Sequence, residues 1–484
     1  MSALPEPSVT APAALRRYED LPGPRGIPVL GNALQIESAR FHRQLEGWAG
    51  EYGSLYKLQL ANRRVLVAGD HEHVAAVLRD RPAGYRRTTK MEQIWVELGM
   101  PFGVFGAHGE VWARQRRMVM AGFDPAHVRR YYPSMQKVAG RLIGRWSKAA
   151  AGQTAIDLQA DLMRYTVDTI AGLAFGAEVN TLESDADVIQ RHLDKIFPAV
   201  FKRVLAPVPL WKLHRSRADR ELEDSIRAVN AAVDGFIAKA RARMAVDATL
   251  RAHPENLLEA MIAAADVPGS GIDDGQVAGN VLTMLLAGED TTANTLAWML
   301  HLLWLHPEAL AKVAAEIRAL PAEPGALPTQ DQLGELAYLE ACIHETMRLK
   351  PVAPVLPLQA LHDTVVGDVQ IEKNTVVVCL LRRDGLSEEH VEEPTSFAPE
   401  RWLADGTAAS AKAQSPKRIG MPFGAGPRIC PGRYLALLEI KLAMAALLSR
   451  FDIVALDTPD GGPAEERLAF TMAPLGLAMK LRVR

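Results

Sequence analysis

A cysteine equipped to bind a metal stands in the run Phe423-Gly424-Ala425-Gly426-Pro427-Arg428-Ile429-Cys430-Pro431-Gly432. The thiolate, not the thiol, is the ligating form, so the charge around the sulfur decides its chemistry. Gly424, Gly426 and Gly432 let the backbone turn tightly and bring N–H groups close to Cys430. A helix expected to begin at Pro431 aims its positive end at the sulfur, and Arg428 adds a fixed cation two residues away. The other reading is an inert, buried cysteine, the ordinary fate of a lone thiol. That reading leaves the glycines and the arginine without a purpose.

A second run, Gly288-Glu289-Asp290-Thr291-Thr292, sets carboxylates and hydroxyls halfway along an apolar helix expected from about Gln276 to His306. The helix is capped by Asp273 or Asp274 and spans roughly 45 Å at the usual rise. Its apolar residues lie on every side, so it should cross the centre of the protein. Buried polar groups are costly unless partnered. The run is either a satisfied kink or a site, and its residues alone do not choose.

The elements that must hold these two runs follow from the periodicity. Residues 1–20 carry Pro, Ala and Ser without an apolar run and read as a flexible tail; 21–484 read as one domain. Leu21–Gly26 is turn-forming. Ser54–Leu60 and Arg64–Ala68 have strand character around a turn at Ala61-Asn62-Arg63. Helical periodicity dominates from Gly109 to about Arg348. Strands return at Thr364–Ile371 and Thr375–Leu381, a helix spans Pro431–Ser449, and Ala469–Val483 reads as a closing hairpin. The fold class expected is mostly α with small β-sheets.

Composition narrows the functions. Almost half the 484 residues are apolar and 23% are charged, the balance of a globular protein with a large core. A formal net charge of −2 gives no bulk attraction to nucleic acid or an anionic membrane. Cys342, Cys379 and Cys430 form no C-x-x-C pair, which argues against zinc ribbons and disulfide scaffolds and for a reducing compartment. No stretch has the length of a secretory or transmembrane segment, so a cytoplasmic protein without a membrane anchor is expected.

The cysteine run resembles the haem-binding loop of the cytochrome P450 family, F-x-x-G-x-R-x-C-x-G, matched at Phe423, Gly426, Arg428, Cys430 and Gly432. Further runs agree in the family's order. Ala287–Thr291 resembles its central-helix motif, Glu345-Thr346-Met347-Arg348 its E-x-x-R, and Pro399–Trp402 the loop whose arginine joins that pair. Trp112 and Arg116 resemble the W-x-x-x-R that holds a haem propionate, and Leu21–Gly31 the family's proline-rich start. The resemblance spans about Leu21 to Leu481.

It implies a single domain built round a long central helix, with haem b bound through Cys430 as the iron ligand. Trp112, Arg116, Phe423, Arg428 and Gly432 complete the cofactor site. Asp290 and Thr291 would relay protons, with Thr292 able to share the task, against the simpler reading in which Thr291 only bonds a helix carbonyl. Glu345 and Arg348, at i and i+3, would form a structural ion network with Arg401. The arginine expected after the Pro357 run is missing, since Leu358 and Gln359 stand there; Arg382 is one candidate to replace it. The substrate pocket is expected to draw on Phe102, Val104, Phe105, Leu286, Ala287, Val355, Leu356 and Met472, under a lid from Ile189 to His214.

The reaction implied is insertion of one atom of O2 into an apolar small molecule. Electrons would come from NAD(P)H through an external ferredoxin- or flavodoxin-type donor and its reductase, because no flavin motif follows the haem domain. Arg114, Arg117, Lys417, Arg418 and Arg433 form a candidate basic docking patch. Peroxide-using or peroxide-isomerising chemistry is the alternative within enzymes; non-catalytic ligand binding is the alternative outside them.

Overall fold

Asp273 accepts a hydrogen bond from the Gln276 N–H at 2.7 Å and starts a helix that runs from Asp274 to Leu305. Both of its halves are largely buried, Val281–Leu286 except for Thr283 and Ala293–Leu303 throughout, as the all-round apolar pattern requires. It packs along the helix Leu158–Phe175, and Gly288 sits at the contact: a Cβ there would meet the Ile170 side chain at 3.0 Å. The polar run is therefore part of a helix–helix seam. The computed structural model describes residues 15–123, 125–176, 179–184, 189–321, 325–403 and 416–484.

Around this helix the chain is mostly helical, with small sheets to one side. The largest sheet orders its strands Leu55–Leu60, Arg63–Ala68, Val376–Leu380, Val355–Ala360 and Tyr85–Arg86. Its first two strands form the expected hairpin, turning at Ala61 with φ +52°. One large apolar core fills the helical part, and a second, smaller one packs Leu66, Val74, Leu78, Leu358 and Cys379 on the sheet. Among the described residues no helix is long and apolar enough to cross a membrane.

Four expectations change. Arg16 and Arg17 pair in parallel with Val369 and Gln370, and Tyr18 is buried, so residues 15–20 belong to the fold; residues 1–14 lie outside the described residues. Thr364–Ile371 is two short strands, Thr364–Val366 and Val369–Ile371, folded back at Gly367. Val355–Ala360 is a strand that alternation does not announce, because Pro357 interrupts it. The closing residues split: Met472–Pro474 pairs with Glu466–Leu468, while Ala478–Val483 pairs with Phe451–Asp457.

Candidate active site

The cysteine loop is closed by its own backbone. The Cys430 N–H donates to the Phe423 carbonyl at 2.9 Å, and the Gly424 N–H to the Met421 carbonyl at 2.9 Å. Gly426 has φ +70°, and any side chain there would strike Arg79 Cα at 2.7 Å and the Leu78 carbonyl at 2.8 Å. The loop is thus pressed against the helix His71–Arg79. Phe423 packs on the main core. The following helix begins at Arg433, capped by Gly432, two residues later than expected.

Burial pushes the Cys430 thiol up. The Gly432 N–H, the charges of Arg116 and Arg433, and the Arg433 N–H oppose it without prevailing. The expected stabilisation of the thiolate is present, and the cost of desolvation outweighs it. Cys342 and Cys379 are fully buried, and burial raises both thiols well above their ordinary value.

Cations gather beside the loop. The Arg428 guanidinium lies over the buried Trp112 ring at 4.7 Å and donates to the Ala107 carbonyl. Arg116 donates to the Ile429 carbonyl at 2.7 Å. Burial, then the neighbouring charges of Arg81 and Arg116, lowers Arg428 to about 9, and burial lowers Arg81 to about 10. Arg87, over the Phe105 ring at 3.9 Å, is pushed well down by burial and by the charges of Arg81 and Arg428. His108 is lowered by burial and Arg86. Among the described residues none of these five forms an ion pair, and the Nε atoms of Arg81, Arg87 and Arg428 have no hydrogen-bond partner. Arg81 is buried and the other four are partly so; cations packed together away from water without a counterion are unfavourable, so the cluster fits a bound anion.

Arg81 and Arg87 have no signal in sequence beyond their charge. Arg86 pairs with Gln359, so Arg87 lies one residue further along, toward Leu358, where the expected arginine is missing. Arg382, the candidate replacement, is instead locked between Glu46 (2.9 and 2.6 Å) and Glu466 (2.9 Å).

On the central helix, Thr283, Ala287 and Thr291 form an accessible stripe at four-residue spacing, with Gly288 and Asp290 partly exposed beside it. The Thr291 hydroxyl donates to the Ala287 carbonyl at 2.7 Å, the simpler of the two readings above. Asp290 accepts from Thr471 and, at 2.6 Å, from Asn294. Burial raises its carboxyl, and those hydrogen bonds only partly offset the rise. Thr292 is buried and off the stripe, and Glu289 is buried with Asp194 as a hydrogen-bonding neighbour. Asp194, on the helix Ile189–Leu205, is the residue that sequence reasoning missed. Its side chain stays accessible to solvent, yet the surrounding protein and the Asp290 charge push its carboxyl up to about 6.

The expected pocket residues divide. Ala287 is exposed, and Phe102, Phe105 and Val355 are partly exposed, while Val104 is buried with its N–H on Asn280 Oδ1 at 2.8 Å. Leu286 and Met472 are core residues. Leu286 precedes the accessible stripe by one position, and Met472 lies under Trp298, whose Nε1 donates to its carbonyl at 3.1 Å. Leu356, next to Val355 on a strand, turns to the sheet's own apolar cluster. Phe470, two residues from Met472, takes its place. Its ring stacks on Phe197 at 4.2 Å, carried by the segment expected to form the lid, and lies 6.1 Å from Phe105.

Glu345 is fully buried and holds Arg348 through two bonds of 2.8 and 2.7 Å, Arg401 at 3.0 Å, the Trp402 indole at 2.8 Å and the Ala398 N–H at 3.0 Å. Arg348 also reaches the carbonyls of Gly385 and Pro394 at 2.5 and 2.6 Å. Burial would raise the Glu345 carboxyl, but Arg348 and Trp402 overcome it and leave it below the usual range.

A family profile described as Cytochrome P450 matches residues 21–481. The chain belongs to the cytochrome P450 family. It is a P450-type monooxygenase, and the family implies haem iron and O2. The chain is 24% identical to the haem domain of cytochrome P450DA with a TM-score of 0.81, covering 97% of this chain and 98% of that one, a likeness of fold. It is 26% identical to the protein LUTEIN DEFICIENT 5, chloroplastic, of Arabidopsis thaliana, over 83% of this chain and 67% of that protein. It is 29% identical to the self-sufficient cytochrome P450 monooxygenase CYP505E3 of Phanerodontia chrysosporium, over 91% of this P450 but only 40% of the relative's length.

Proposed function

We propose that this P450 binds haem b through Cys430, oxidises an apolar small molecule, and takes its electrons from a separate donor protein. The observation that carries the haem site is the set of cations beside the cysteine loop, Arg81 buried and the others partly buried, none of which forms an ion pair among the described residues. Two haem propionates would supply their counterions. Arg81, Arg87, Arg116 and Arg428 would hold them with His108 and Trp112, and Arg87 stands in for the arginine absent at Leu358. Bound haem supplies the activation of O2, for which a cysteine thiolate favours cleavage of the O–O bond.

The chain's own residues then exclude water, orient the substrate and move protons. Thr291 gives its hydroxyl proton to Ala287 and therefore faces the cleft as an acceptor, fit to hold an ordered water. Asp290, next to it in the chain, has a carboxyl raised by burial, and Asp194, beside Glu289 and Asp290, has one raised to about 6; these two carboxyls are the proton carriers in this reading. Phe102, Phe105, Phe197, Phe470, Ala287 and Val355 offer an apolar wall with few charges, which favours a hydrophobic substrate. The Asp290–Thr291 pair favours oxygen activation over simple peroxide use.

A donor would dock where charge is exposed around the thiolate. Arg117, Arg418 and Arg433 are exposed and Arg114 is partly so, while the side chain of Lys417 lies outside the described ones. This basic set suits an acidic ferredoxin or flavodoxin-type protein in the cytoplasm. Turnover of an apolar compound, found by a spectral binding screen, should require NAD(P)H with an added reductase and ferredoxin. Turnover with peroxide alone at the same rate would favour the peroxide-using reading.

A further inference from the structure

On the sheet side of the cysteine loop, three side chains that play no part above converge on one oxygen. His71 opens the helix His71–Arg79, and its backbone N–H and ring Nδ1 lie 2.7 and 2.8 Å from Asp384 Oδ2. His390 approaches the same oxygen with Nε2 at 3.4 Å. The two rings stand edge to face with centroids 4.9 Å apart. One ligating atom from each of the three residues lies within 4.8 Å of the other two.

We propose that His71, Asp384 and His390 bind a zinc ion. Two imidazoles and a carboxylate suit a borderline d-block cation; calcium and magnesium require more oxygen ligands. In a tetrahedral zinc site, ligands about 2.0–2.1 Å from the metal stand about 3.3 Å apart. His390 stands close to that spacing from Oδ2. His71 reaches the same spacing by a ring shift of about half an ångström, toward that tetrahedral geometry. Arg383 Nη1 holds the other oxygen of Asp384 at 2.6 Å, the kind of outer partner that orients a ligating carboxylate. Its charge opposes a dication and so limits the affinity. The fourth position is left to water.

The position gives the ion a structural effect. The far end of the His71–Arg79 helix carries the backbone against which Gly426 of the cysteine loop is pressed. The turn Asp384–Leu386 supplies the Gly385 carbonyl to Arg348 of the Glu345 network. Zinc would therefore tie together two elements that brace the loop and the network.

Calorimetric titration of chelator-treated holoenzyme with zinc chloride tests this. Saturable binding of one zinc per chain is expected, with none for magnesium chloride. His390→Ala should weaken it at least tenfold while keeping the spectrum of folded holoenzyme, and His253→Ala, at an exposed position, should leave it unchanged. Zinc-edge X-ray absorption on the wild-type protein should find two imidazole ligands, and this reading stands even where His390→Ala does not fold. No saturable zinc binding to the wild type, equal binding to His390→Ala, or an absorption spectrum without the imidazole pair would overturn the site.

Discussion

Single residues carry the chemistry, and they differ in how far the sequence displays them. Thr291→Ala should leave folding and substrate binding nearly intact while diverting reducing equivalents from product to peroxide; unchanged coupling would remove its hydroxyl from the proton route. Asp194 adds a pH signature. With its carboxyl raised to about 6, it holds a transferable proton below that pH and loses it above. The fraction of NAD(P)H coupled to product should therefore fall as pH rises through about 6, and Asp194→Asn should abolish that step. A step preserved in Asp194→Asn would assign it to another group. Arg87→Leu should weaken haem retention by about 1.5–3 kcal/mol, the value of a charged hydrogen bond; haem loss at the wild-type rate would take it out of the propionate site. Cys430, Arg428 and Thr291 stood out in the sequence because the motif residues around them lie within a few positions, although the partners of Arg428, Trp112 and Ala107, are brought to it only by the fold. Arg81, Arg87 and Asp194 did not, because tertiary packing alone sets the two arginines beside Arg428 and Asp194 beside Asp290. Leu286 and Leu356 were misplaced by a single position each, which on a helix or a strand is enough to turn a side chain away from the cleft.

At the scale of elements, the Glu345 network joins one helix to the loops that follow it. Arg348→Ala would strand a fully buried carboxylate, a loss of about 3–5 kcal/mol, and folded, haem-loaded protein should fail to accumulate. Stable Arg348→Ala protein with a wild-type spectrum would show the network to be replaceable. The ion-paired carboxyls contribute a pH dependence of one sign, opposed by the raised carboxyls of Asp290, Asp194 and Glu439. Glu345 and Glu466 are buried, but their cationic partners hold both carboxyls below the ordinary value, and His344 and Lys441 bring Glu340 down to about 2. Folded pKa values below unfolded ones mean that this stability is fully present above about pH 4.5 and is lost as pH falls toward the folded values. By urea unfolding, Glu340→Gln should cost more stability at pH 7 than at pH 3.5, and an equal cost at both would contradict the assignment. The E-x-x-R spacing announced the core of this network. Trp402 and the backbone donors and acceptors that complete it became visible only when the loop was folded back, as did the strand Val355–Ala360 hidden by its proline.

At the scale of the whole molecule, the proposed function needs the sulfur, the cluster of cations and the accessible helix stripe to share one cleft, with exposed arginines near the cysteine loop serving the donor. First electron transfer from an acidic donor should slow as ionic strength rises, since complementary charge mainly accelerates encounter. Arg418→Glu with Arg433→Glu should slow it further without changing substrate affinity; rates indifferent to both would move the docking face elsewhere. All of this rests on Cys430 as the iron ligand. The spectrum of the reduced CO complex reports that ligand directly. Wild-type protein, Cys342→Ser and Cys379→Ser should each show the red-shifted Soret band of thiolate ligation, and Cys430→Ser should lose it. A wild-type spectrum typical of histidine ligation, or a thiolate band surviving in Cys430→Ser, would contradict the account.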